Sequence, residues 1–218
     1  IVYTYTDSKG CTNFNTSNYV VKDAPATPKP GTSLTVCEGA RISLHANTGS
    51  AVIDKYEWTK PPSTDVLFTG KDPVISSAEL SDAGDYSLIV TTNDCPSQPG
   101  VIKVVVNPLP KLAIVPANNV SVCAGASMLL SASTTNGVAI SSWTWDVSGT
   151  EVIVDKSSSI LSIKPQATTL YSLSVRSVNN CIGTANKTVG VTLVPVADIT
   201  APDTVCPGVP VELSASGG

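Results

Sequence analysis

The strongest constraint on this chain is a period. Leu34-Thr-Val-Cys37-Glu-Gly39 recurs as Val120-Ser-Val-Cys123-Ala-Gly125 and as Asp203-Thr-Val-Cys206-Pro-Gly208, with cysteines 86 and 83 residues apart. A second motif is interleaved with the first. Tyr86-Ser-Leu-Ile-Val-Thr-Thr-Asn-Asp-Cys95 matches Tyr171-Ser-Leu-Ser-Val-Arg-Ser-Val-Asn-Asn-Cys181 and, more loosely, Val2-Tyr-Thr-Tyr-Thr-Asp-Ser-Lys-Gly-Cys11. An aromatic-x-Trp pair completes the unit: Tyr56-Glu-Trp58, then Trp143-Thr-Trp145. Three motifs at one period of about 85 residues define a tandem repeat. The 218 residues then divide into two whole units and two partial ones. Residues 1–28 read as the last two strands, F and G, of an upstream repeat. Residues 29–109 and 110–195 are whole repeats, and 196–218 are the first strands of a downstream one. Ile1-Val2-Tyr3-Thr4-Tyr5 is a strand pattern without the basic start of a signal peptide. The expectation is a piece of a longer array.

Composition narrows the function. Net charge is −4 and charged residues are 14%, with no basic stripe of the kind nucleic-acid binding needs. No apolar run approaches the ~18 residues that would span a bilayer as a helix. One His and 5% aromatics argue against histidine-based catalysis, His-rich metal sites and stacking platforms. Six cysteines occur without C-x-x-C or zinc-type spacing. They read as disulfide cysteines of an oxidising location, outside the cell.

Within the first whole unit, strand A lies before Val36 and Cys37-Glu38-Gly39 is a tight turn. Strand B, Arg41 to Ala46, alternates with Ile42, Leu44 and Ala46 inward, and Asn47-Thr48-Gly49-Ser50 breaks it. Strand C carries Tyr56 and Trp58. Val66-Leu67-Phe68 and Val74-Ile75 are short strands. Strand F runs from Tyr86 to Thr92 and strand G from Val101 to Val106, followed by the Asn107-Pro-Leu-Pro110 linker. About seven strands at ~8–12-residue spacing predict an all-β chain of tandem immunoglobulin-like sandwiches in a rod-like array. Asp82-x-Gly84-x-Tyr86 matches the tyrosine-corner pattern, whose hydroxyl bonds upstream backbone. The position of the usual core cysteine on strand F is Leu88, and strand B offers Leu44, so an apolar pair replaces the B–F disulfide. The second unit keeps only Tyr171 of the corner.

These motifs resemble the immunoglobulin-like and PKD-like surface repeats of Bacteroidetes. The resemblance rests on Val-Cys-x-Gly before strand B, aromatic-x-Trp in strand C, the Tyr entering strand F and the Cys after it. It covers essentially the whole chain. It implies a cell-surface adhesin or stalk of the kind found among gliding-motility proteins exported by type IX secretion.

Strand direction bears on the disulfides. Cys37 sits at the A–B turn and Cys95 at the F–G turn, at opposite poles of one unit. A strand of ~6 residues spans ~20 Å, whereas a disulfide needs Cα atoms within ~7 Å. Stacked units bring the A–B turn of one to the F–G turn of the next. The favoured pair is therefore Cys37–Cys181, between repeats. Cys123, Cys95, Cys11 and Cys206 then find partners in repeats outside this chain. The equal 58-residue spacings from Cys37 to Cys95 and from Cys123 to Cys181 keep an intra-repeat pairing open.

Candidate sites have plain structural readings. His45 faces outward and has no partner in the sequence pattern. Trp58 and Trp145 are core residues, and Tyr56 and Trp143 lie at the core or its rim. Asp82 and Asp85 fit corner and turn chemistry better than calcium binding, for want of a dense Asp/Asn loop. Any Ca2+ is expected at repeat junctions, with no ligands assigned. Asn15, Asn119 and Asn186 match glycosylation acceptors, and Asp203-Thr204-Val205 resembles an O-glycosylation motif. No catalytic constellation and no cofactor are expected. The leading reading is a non-catalytic structural stalk segment of a bacterial cell-surface adhesin. Its expected partners are neighbouring repeats, with surface polysaccharide or cell-envelope proteins beyond them. A carbohydrate- or protein-binding module using Tyr3, Tyr5, Tyr19 or Tyr56, and an accessory domain of a secreted enzyme, remain as alternatives.

Overall fold

The computed structural model describes residues 1–49, 52–149, 153 and 155–217. Ser50, the last residue of the predicted breaker after strand B, lies outside them. The chain forms two compact units, Ile1–Asn107 and Pro108–Gly218. Strands dominate, and the described helical structure is one 3-10 turn at Leu80–Asp82.

The first unit opens with a hairpin of β1 (Val2–Thr6) and β2 (Thr12–Thr16). Its sandwich uses β3 (Ser33–Cys37), β4 (Ile42–Ser43), β5 (Lys55–Thr59), β6 (Val66–Phe68), β7 (Val74–Ile75), β8 (Gly84–Thr92), β9 (Cys95–Pro96) and β10 (Gly100–Asn107). One sheet has the order β3-β10-β8-β5-β6, with β9 paired to β8; the facing sheet is β4-β7. Period-2 patterning decides which face is buried. In β10, Ile102, Val104 and Val106 are buried while Val101 and Lys103 face out. Strand B alternates as its sequence requires: Ile42, Leu44 and Ala46 are buried. Only Ile42–Ser43 pairs as strand, however. Beyond it Leu44 N–H donates to Pro73 O at 3.0 Å and Ala46 N–H to the Asp72 carboxylate at 3.2 Å, a side chain continuing the ladder.

The second unit repeats the plan with β11 (Leu112–Val115), β12 (Val120–Cys123), β13 (Met128–Thr134), β14 (Ile140–Val147), β15 (Ile160–Ile163), β16 (Thr169–Ser177) and β17 (Ile182–Thr192). A hairpin of β18 (Ala197–Thr200) and β19 (Ser214–Gly217) follows. The sheets are β12-β17-β16-β14 and β11-β13-β15.

The predicted single strand A needs correction. In the second unit it divides: β11 pairs antiparallel with β13 in one sheet, and β12 pairs parallel with β17 in the other. In the first unit only the second part exists, as β3 parallel to β10. The cause is length. Pro110 precedes Cys123 by thirteen residues and Pro28 precedes Cys37 by nine. The four-residue difference equals the length of β11.

Two contacts carry no signal in the sequence pattern. Pro28 and Pro110 are buried at the entry of each sandwich. A Cβ on Gly100 would stand 2.1 Å from Pro28 O, and one on Gly183 2.3 Å from Pro110 O. The entering backbone thus lies directly on strand G, where no side chain fits. Lys187 makes the second. It takes the inward position opposite Tyr171 that Ile102 takes opposite Tyr86 in the first unit, and it is only 9% exposed. Its ammonium donates to Ala117 O at 3.1 Å and Asn118 O at 2.6 Å, in the crossover between β11 and β12. Those carbonyls compensate the burial of the charge.

Gly100→Ala and Gly183→Ala are each expected to destabilise by about 1–3 kcal/mol, through overpacking against rigid backbone. Gly70→Ala, where a Cβ meets nothing within 4 Å, is expected to stay within ~0.5 kcal/mol. Urea denaturation of the three variants makes the comparison, and equal midpoints would refute the contact.

Candidate functional site

Each core is built around one tryptophan on strand C. Trp58 is fully buried and pairs across the sheet with Leu88. Trp145 is 1% exposed and pairs with Leu173. An indole N–H cannot be buried unpaired without cost. Trp58 Nε1 donates to Gly70 O at 3.1 Å, and Trp145 Nε1 to Ser158 O at 2.9 Å. Leu44 and Leu88 belong to one buried cluster and Leu130 and Leu173 to the other. Apolar packing therefore stands where a B–F disulfide could have been. Tyr56 and Trp143 are half-buried and pack on the rims of these clusters.

The corner closes the opposite end of strand F. Tyr86 is buried and its hydroxyl donates to Asp82 O at 3.0 Å. Asp82 itself is half-buried, and its carboxylate accepts from Glu79 N–H at 2.8 Å, holding the 3-10 turn. Lys60 Nζ lies 5.6 Å from the Tyr86 ring centre and donates to Ser81 O. Burial, and then the negative charge of Asp82, push the Tyr86 phenol above its ordinary value of 10.0. Tyr171 is fully buried at the corresponding place in the second unit.

The cysteines occupy two kinds of turn. Cys37 and Cys123 each end the second part of strand A and begin a turn, and Cys206 begins a turn of the same form. Ala40 N–H donates to Cys37 O at 3.0 Å, Ala126 N–H to Cys123 O at 2.9 Å and Val209 N–H to Cys206 O at 3.3 Å. The third residue is Gly39, Gly125 or Gly208, with φ of +80°, +75° and +84°. Such a turn demands this conformation there, and glycine supplies it without strain.

Cys181 and Cys11 end a different turn, between β16 and β17 and between β1 and β2 respectively. Ser177 N–H donates to Cys181 O at 2.8 Å, Asn180 N–H to Ser177 O at 3.0 Å, and Cys181 N–H to Ser177 Oγ at 3.0 Å. The β1–β2 hairpin repeats each bond: Asp7 N–H to Cys11 O at 2.9 Å, Gly10 N–H to Asp7 O at 3.0 Å, and Cys11 N–H to Asp7 Oδ1 at 2.9 Å. Cys95 follows a shorter two-residue turn, Asn93-Asp94, with φ of +51° and +64°. Its Sγ donates to Lys22 O at 3.7 Å.

Cys37 and Cys181 are disulfide-bonded, while Cys11, Cys95, Cys123 and Cys206 carry free thiols. Neither bonded cysteine is joined to the free cysteine of its own repeat, so the intra-repeat pairing is not formed. His45 is exposed, as expected, but it has a partner: its Nδ1 lies 3.4 Å from Asp72 Oδ1. The partner sits 27 residues downstream, on the loop that the fold lays against strand B, and no local pattern announced it. Asn15, Asn119, Asn186 and Thr204 are exposed. Among the described residues, no group of three or more His, Cys, Asp or Glu could hold a metal ion. No helix there is long and apolar enough to cross a membrane.

No protein-family model and no curated protein matches the chain. Solved structures do. The crystal structure of Down Syndrome Cell Adhesion Molecule isoform 1.30.30, N-terminal eight Ig domains, aligns at 13% identity with a TM-score of 0.54. That alignment covers 99% of this chain and 34% of that one. Dscam1 isoform 6.44, N-terminal four Ig domains, aligns at 18% identity with a TM-score of 0.37, covering 85% of this chain and 51% of that one. The chain thus spans about half the length of the four-domain structure. At this identity the eight-domain likeness establishes the fold alone: an all-β chain of immunoglobulin-like sandwiches.

Tyr86→Phe removes the hydroxyl that reaches Asp82 O, with an expected loss of about 1 kcal/mol at neutral pH. In the native protein the phenol holds its proton to higher pH than in the unfolded chain. Native stability is therefore expected to fall as pH rises through 10.0 toward the raised value, because the unfolded state ionises first. Urea melts from pH 8 to 11 should show a shallower decline for the Phe variant. Parallel curves would contradict the assignment.

Proposed function

We propose that the chain is a non-catalytic, adhesion-type immunoglobulin-like module. It acts as a structural stalk segment of a large, repetitive bacterial cell-surface protein serving attachment or gliding. Its location is extracellular. The repeats are assigned to 29–109 and 110–195, with 1–28 and 196–218 as parts of their neighbours. One observation carries the reading: the same sandwich is built twice from the same positions, while one cysteine in each unit is in the disulfide state. We assign those two, Cys37 and Cys181, to one bond between successive repeats. Such a bond closes a loop of more than 100 residues and is worth about 4–5 kcal/mol on the chain-entropy account. Its mechanical effect is to stop one repeat from swivelling on the next, as a segment transmitting force requires. The eight-domain likeness is a cell-adhesion molecule by its title, which agrees with this class. The resemblance to Bacteroidetes surface repeats supplies the bacterial and gliding part.

A second reading, display of a binding surface for polysaccharide or cell-envelope protein, draws on the exposed Tyr3, Tyr5, Phe14 and Tyr19. Silence of the chain on a glycan array and on envelope proteins would count against it.

Small-angle scattering of the chain before and after reduction tests the stalk reading. The oxidised protein is expected to give a narrow distribution of separations between the repeats. Reduction, or Cys37→Ser with Cys181→Ser, is expected to broaden it. Identical profiles would remove the stiffening role.

A further inference from the structure

We infer that Cys37–Cys181 is one rung of a repeating covalent ladder, and that the turn holding each remaining cysteine specifies the class of its partner. The inference rests on the pairing proposed above and extends it to thiols that are free here. Its ground is the identity of the turns. Cys123 and Cys206 stand where bonded Cys37 stands: first residue of a four-residue turn, glycine third, backbone bond from the fourth. Cys11 stands where bonded Cys181 stands, with all three hydrogen bonds of that turn reproduced. The same backbone setting that presents a sulfur for bonding at Cys37 and Cys181 is therefore built again at three positions. Cys11, Cys123 and Cys206 are exposed, so a partner can reach them.

The ladder has a direction. A cysteine of the turn after strand A bonds the F–G cysteine of the following repeat. Cys123 and Cys206 therefore each take an F–G cysteine of the repeat after their own. Cys11 takes a Val-Cys-x-Gly cysteine of the repeat before its own. Cys95 reaches the F–G position through a turn one residue shorter, and its sulfur faces the backbone of Lys22, on the segment leading into its repeat. Its partner is the Val-Cys-x-Gly cysteine of the preceding repeat.

Each rung forms by thiol–disulfide exchange with a donor disulfide. One cysteine thiolate attacks the donor, and the second displaces the donor's remaining sulfur. Two cysteines are oxidised. The donor leaves as a dithiol carrying the two electrons and, in net, the two protons.

The test is non-reducing peptide mapping of the full-length protein from its native source, with free thiols alkylated before digestion. The expected result is a Cys37–Cys181 peptide together with Cys123 linked to an F–G cysteine of another repeat. Cys123 recovered alkylated, or linked to Cys95, beside an intact Cys37–Cys181 peptide overturns the ladder and leaves the stalk reading standing. Loss of the Cys37–Cys181 peptide itself overturns the stalk pairing, and the ladder with it.

Discussion

Everything in each repeat depends on one buried tryptophan and the carbonyl that receives its indole N–H. Trp58 and Trp145 are the largest wholly buried side chains. Each lies on strand C, against a leucine of strand F, and each reaches a backbone oxygen on the loop beyond. That hydrogen bond ties the strand C sheet to the loop feeding the facing sheet. Around it the inward residues of strands B, F and G have a fixed volume to fill. Truncating such a residue to alanine costs about 3–5 kcal/mol, a large part of a small domain's net stability.

A core held this way needs no cysteine, which frees the cysteines for the ends of the sandwich. All six lie at turns or strand ends rather than between the sheets. Backbone hydrogen bonds fix those turns independently of whether the sulfur is bonded, since Cys123 and Cys206 are free in the same turn that holds the bonded Cys37. Folding of a unit and bonding of its cysteines are thereby separate events. The first is decided by apolar burial and the second by redox chemistry.

Much of this was legible because it is periodic. Ile42, Leu44 and Ala46 alternate inward, as do Tyr86, Leu88 and Val90, and a period of two needs only local residues to be read. Asp82-x-Gly84-x-Tyr86 announced the corner. What stayed hidden depends on close approach between distant segments. The seating of Pro28 on Gly100 and of Pro110 on Gly183 appears in sequence only as two prolines and two glycines at the repeat spacing. Lys187 is unremarkable until the fold turns its stem inward beneath the crossover. His45 has no visible partner until the loop carrying Asp72 is laid beside strand B.

The sequence alone thus determined the all-β fold class, the face that the alternating strands bury and the two turns that carry the cysteines. These follow from period, alternation and glycine placement, all of which act over a few residues. Only the tertiary structure decided that strand A divides between two sheets in one repeat and keeps a single part in the other. Only it decided which glycines lie under backbone and which inward lysine is satisfied. Those outcomes depend on how much chain is available to cross from one sheet to the other, and on which carbonyls that crossing brings within hydrogen-bond reach.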